Sequence, residues 1–138
     1  MPQRRANPGD VCQIPLGDSR FAYGRVLNDA SIAIYRTVTR EPRSPPLGER
    51  DFLFTVGVYE DIPGSKRAPV VGHDEFADED ESWPPPYKVV DPISGRVQIY
   101  HRGAMRGVTD AGEAADLEKA AVWDLEHIID RIREALPD

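Results

Sequence analysis

Thirteen prolines set the first limit on what this chain can fold into. They fall in groups: Pro42, Pro45 and Pro46; Pro63 and Pro69; then Pro84, Pro85 and Pro86. A proline inside a helix removes an amide donor and clashes with the preceding turn. No long helix can run through residues 8–108, so strands joined by loops are expected there.

The runs between the prolines suit strands, being short and rich in β-branched and aromatic residues. Val11–Leu16 and Phe21–Leu27 flank the turn formers Gly17-Asp18-Ser19 and read as a hairpin. Ser31–Val38 follows the turn at Asn28-Asp29. Phe52–Tyr59 is the strongest run, because Phe52, Phe54, Val56 and Val58 share one face at period 2. Pro69–His73 is weaker. Tyr87–Val90 and Arg96–His101 are joined by Asp91-Pro92-Ile93-Ser94-Gly95, which has strong turn chemistry. Residues 40–50 and 74–86 read as exposed loops, and residues 1–7 as a flexible lead.

After residue 108 the pattern changes period. Asp110 and Glu113 have capping-box spacing, which predicts a short helix over 113–120. A second helix is clearer. Leu125, Ile128, Ile129, Ile132 and Leu136 form one apolar stripe, with Asp124 as N-cap and Trp123 placed to staple onto Ile128. The expected architecture is α+β in one domain over 1–138. A strongly bent antiparallel sheet, or SH3-like half-barrel, of six or seven strands is covered by one or two C-terminal helices. Its core should draw on Val11, Ile14, Phe21, Val26, Ile32, Ile34, Phe52, Phe54, Val56, Val89, Ile99, Trp123, Ile128, Ile129 and Ile132.

Charge narrows the function classes. The net charge is −7 over 138 residues and the isoelectric point is about 4.9. A nucleic-acid binder needs a basic face to release counterions, so direct nucleic-acid binding is not expected. The imbalance is local: residues 1–50 hold 8 basic and 5 acidic residues, while 51–138 hold 9 basic and 19 acidic. The excess peaks where Asp74, Glu75, Asp78, Glu79, Asp80 and Glu81 crowd into eight positions, followed by Trp83. These residues are the candidate partner-binding surface, because complementary charge steers association and an aromatic residue can anchor an interface. The alternative is a solvated acidic face that keeps the protein soluble.

Catalytic equipment is sparse. The chain has no phosphate-binding Gly-rich loop with Lys, no H-E-x-x-H and no G-x-S-x-G. One cysteine, Cys12, excludes an internal disulfide and a multi-cysteine zinc site. Of three histidines, only His73 stands beside acids, at Asp74 and Glu75, as a base with an orienting carboxylate would. No enzyme, cofactor or metal site is expected. No apolar run approaches the ~18 residues of a membrane span, and no apolar stretch follows Met1–Arg5 as in a secretory signal, so the expected location is the cytoplasm.

The opening stretch carries the sharpest pattern. Gly9-Asp10-Val11-Cys12-Gln13-Ile14-Pro15-Leu16 leads into Phe21-Ala22-Tyr23-Gly24-Arg25-Val26-Leu27. It resembles the immunity protein 26 family of bacterial polymorphic-toxin systems. The matching residues are Gly9, Asp10, Pro15, Leu16, Tyr23, Gly24 and Arg25, joined at the far end by Trp123 and His127. The chain departs from the pattern at Lys66–Gly72, which lacks the tryptophan the family often carries there. The resemblance implies an antitoxin that binds a cognate toxin domain without catalysis, and the acidic balance suits a nuclease partner with a basic cleft. Glycines 9 and 24 also suit a turn and a close backbone approach, and Tyr23 and Arg25 share a strand face from which they could bond across a sheet. The rival readings are a small-molecule or regulatory binding module, with Tyr23, Tyr35 and Tyr59 lining a cavity, and, ranked below it, an enzyme using His73 with nearby carboxylates.

Overall fold

The computed structural model describes residues 6–41, 45–108 and 110–137, so the expectations for Met1–Arg5 and Pro42 lie outside the described residues. It is α+β, with ten strands in two sheets and one helix among the described residues. The first sheet holds β1 (Asp10–Pro15), β2 (Phe21–Leu27), β3 (Ser31–Tyr35), β4 (Phe52–Val58) and β5 (Val70–His73). The second holds β6 (Tyr87–Val90), β7 (Val97–His101) and β8 (Ala104–Gly107). Two short strands complete them: β9 (Glu118–Lys119) joins the second sheet and β10 (Val122–Trp123) the first. Helix α1 spans Leu125–Ala135. The spatial orders are β10-β4-β3-β2-β1-β5 and β8-β7-β6-β9, and neither sheet closes into a barrel.

Two features depart from the expected arrangement. Both sheets are mixed, because β10 runs parallel to β4 and β9 parallel to β6. The helix expected over 113–120 is a single 3₁₀ turn at Ala111–Ala114, after which the chain extends. Asp110 does cap this turn, accepting from the Gly112 amide.

Register explains how the larger sheet buries two faces. Val11 pairs with Arg25, and Arg25 with Ala33, so these residues share a face. The opposite face carries Cys12, Ile14, Ala22, Val26, Ile32, Ile34, Phe54, Val56 and Val58. Leu125, Ile128 and Ile132 of α1 pack there, as the apolar stripe requires. Asp124 caps α1 by accepting from the His127 amide. Burial raises the Cys12 thiol to about 11, which leaves it an inert core group. Gly24 has a packing reason: a Cβ there would lie 2.5 Å from Ile32 Cδ1. Phe21, Phe52, Val89, Trp123 and Ile129, expected in the core, are only half-buried.

Candidate functional site

The second face of the larger sheet bears an arginine where a core would ordinarily be apolar. Arg25 of β2 is 1% exposed, beside the buried Val11, Tyr23 and Tyr35. A buried charge is tolerated only when it is paired and its hydrogen bonds are met. The acidic segment supplies those partners. Arg25 Nε donates to the Asp74 carbonyl at 3.0 Å, Nη2 to the Glu75 carbonyl at 2.6 Å, and Nη1 to Glu81 Oε1 at 2.8 Å. The ring of Phe76 lies under the guanidinium, 4.2 Å from centroid to carbon.

Asp74 sits at the centre of this network. It is 5% exposed, which corrects its expected place on an open loop. Tyr35 donates to its Oδ2 at 2.6 Å, the Gly48 amide at 3.1 Å and Arg50 at 3.0 Å. A second Arg50 nitrogen reaches Oδ1 at 3.2 Å, and Arg50 Nε pairs with Glu81 at 2.7 Å. Burial works against the charged form of Asp74, but the bonds from Arg50, Tyr35 and Gly48 and the charge of Arg25 win. The carboxyl is therefore held below its usual range. Hydrogen bonding from Arg25 lowers Glu81 likewise. Burial, then the bond to Asp74, pushes the Tyr35 hydroxyl up.

The six carboxylates thus divide by direction. Asp74 and Glu81 turn inward and fasten the segment, while Glu75, Asp78, Glu79 and Asp80 are exposed. Within the segment, Glu81 accepts from the Ala77 amide and Asp78 from the Glu81 amide. A 3₁₀ turn covers Asp80–Ser82. Ser82 is buried and bound to the β2–β3 turn, where the Asn28 amide donates to its carbonyl at 2.8 Å. Trp83 is half-buried with Arg102 over its ring at 5.6 Å, and Arg102 also pairs with Asp80 at 2.8 Å. Residues 74–86 form a loop whose middle, residues 77–80, is exposed, while Asp74, Ser82 and Pro84 are buried.

The remaining motif residues have local roles. Gly9 has φ +94°, and a Cβ on it would lie 2.6 Å from the His73 ring. Asp10 is buried, meets His73 Nδ1 at 3.0 Å and accepts from the Asn7 amide. Pro15 is exposed at the end of β1, and Leu16 is buried. Tyr23 bonds Thr39 at 2.9 Å. His73 has this one orienting acid, and among the described residues no group of three metal-ligating side chains gathers. Tyr23 and Tyr35 pack in the sheet and Tyr59 is exposed.

At the far end, Trp123 and His127 line an open groove of about 640 Å³ with Glu118, Asp130 and Glu134. Arg131 fills its inner side, bidentate on Glu118 and stacked on Phe54 and Trp123. Sequence reasoning did not single out Arg50, and it considered Tyr35 only as a cavity lining, not as a donor to Asp74. The family model described as Immunity protein 26 matches residues 7–98, which is 92 of the 138 residues. The chain belongs to this family. The match takes in β1–β6, the arginine network and the acidic segment, and ends before Trp123 and His127. Membership gives the chain the general role of an immunity protein. Comparisons with curated proteins and with solved structures give no match.

Proposed function

We propose that the protein neutralises a cognate toxin domain by binding it through the outward carboxylates Glu75, Asp78, Glu79 and Asp80. The observation that carries this reading is the division of the acidic segment. Two carboxylates are spent on Arg25 and Arg50, and that expenditure holds four others outward at fixed positions. A loop ordered before binding loses less conformational entropy when the partner arrives. Clustered carboxylates attract a basic surface and raise the association rate. A nuclease, whose cleft must be basic to hold phosphates, is the toxin class that fits. On this reading the protein works in the cytoplasm, performs no catalysis and needs no cofactor.

The test is co-expression with the cognate toxin domain. Reversing Glu75, Asp78, Glu79 and Asp80 to Lys should slow association and flatten its salt dependence; none of the four bonds Arg25 or Arg50 through its side chain, and circular dichroism with urea unfolding checks that losing the Asp78 cap and the Asp80–Arg102 pair leaves the fold intact. Glu81 must stay, since its loss would free the segment. Full neutralisation at an unchanged association rate in the fourfold variant would move the interface elsewhere.

A further inference from the structure

Sheet edges offer unpaired backbone groups, and most proteins cover or blunt them. Among the described residues the sheets end in four edges: β10 and β5 in the larger, β8 and β9 in the smaller. Strands β9 and β10 are two residues each. Strand β5 lies against Pro45 and Leu47 at Gly72. Strand β8 differs. It is four residues long and exposed throughout, and among the described residues no strand pairs with its outer side. Its sequence, Ala-Met-Arg-Gly, carries no proline, lysine or bulge, and its single charge, Arg106, is paired with Glu113.

The register shows which groups face out. Arg102 and Gly103 form a two-residue turn with φ +53° and +86°, so His101 and Ala104 are a hydrogen-bonded pair. Arg106 repeats that pairing with Ile99, which turns the N–H and C=O of Met105 and Gly107 outward. Met105 is 48% exposed, and nothing lies within 4 Å of where a Gly107 Cβ would stand. Tyr100 pairs with Met105 and presents an apolar neighbour on the same face.

Charge sets the composition of the occupant. Asp80 is tied to this hairpin through Arg102, and Glu113 to β8 through Arg106. Asp78, Glu79, Asp110 and Asp116 stand exposed on the flanking segments, so acids outnumber the two arginines. A second copy of the chain brings another net −7 and is disfavoured. We propose that the outer edge of β8 is a strand-addition site, which takes an extended, basic segment of the toxin domain as a further antiparallel strand. This rests on the binding role proposed above and adds a second contact to it.

Backbone amide exchange by NMR on the full chain tests the site. The probe is a capped hexapeptide of alternating valine and lysine, with a valine–glutamate hexapeptide as control. The Met105 and Gly107 amides should exchange about tenfold more slowly with the lysine peptide, while Arg106, already bonded to β7, stays unchanged. Met105→Pro removes one outward donor without touching the β7 ladder and should abolish the effect; Met105→Ala should keep it. A lysine peptide N-methylated at alternate amides should also fail, with no change to the protein. Unaltered exchange at Met105 and Gly107, equal slowing by the glutamate peptide, or protection from self-association would each overturn the proposal. Failure here, with neutralisation still dependent on Glu75, Asp78, Glu79 and Asp80, removes the edge site alone. Independence from those four carboxylates removes the acidic-surface reading itself.

Discussion

The two sheets are built from similar short strands and treat their side chains in opposite ways. In the larger sheet, β3 is buried at every position and β2 at all but Phe21, because α1 covers one face and residues 74–82 are fastened to the other. In the smaller sheet β8 is wholly exposed, and only Tyr87 and Ile99 are buried in β6 and β7. The larger sheet can therefore hold a charged arginine and the smaller can show bare backbone. A change in the first alters stability, and a change in the second alters what the surface offers.

Arg25→Ala strikes the first region hardest. It removes the donors to the Asp74 and Glu75 carbonyls and to Glu81, leaving Arg50 as the remaining cation on both carboxylates, and should cost about 3–5 kcal/mol, read as a shift in the urea midpoint. A loss under about 1 kcal/mol would mean that the segment is held without the arginine. Ile128→Ala tests the helix-covered face of the same sheet. Ile128 is buried in the core, and the expected loss is about 2–5 kcal/mol by thermal or urea unfolding. Wild-type stability would mean that α1 is not docked.

Acid probes the network without mutation. The Asp74 carboxyl is held below its ordinary value, so its contribution is complete above about pH 4 and is lost as pH falls through the folded value. Unfolding midpoints should fall as the pH drops below about 4, and Asp74→Asn should show a lower plateau with a shallower fall. Identical slopes would sink the assignment. The smallest effect belongs to the smaller sheet. Ile93, at the tip of the β6–β7 loop, is 96% exposed, and Asp91 holds that loop by accepting from the Ile93 and Ser94 amides. Ile93→Ser should change stability by no more than about 0.5 kcal/mol. A larger loss would show that the tip is packed.

Local signals served the larger sheet well. The period-2 run over 52–58, the β2 run over 21–27 and the α1 stripe all follow from side-chain spacing, and the structure bears them out. Three features had no local signal. Strands β9 and β10 have two residues each and exist only because β6 and β4 lie beside them. Residues 113–120 are good helix formers, yet pairing of Glu118 and Lys119 with β6 overrides that preference. Strand β8 has weak propensity and is set by the Arg102-Gly103 turn. In the site, Arg25 was singled out for its face, but the burial of Asp74 was hidden. A run of acids reads as solvated, and its partner lies 49 positions away.

Residues 118–123 have a consequence in time. Glu118 and Lys119 finish the smaller sheet, and Val122 and Trp123 finish the larger one, where the Ala121 carbonyl fits against Gly57 only because no Cβ stands there. During synthesis neither sheet can be completed until this strap has left the ribosome, and then both are completed together. An emerging chain that stops short of it has two unfinished edges, and a chaperone would find both of them open at once.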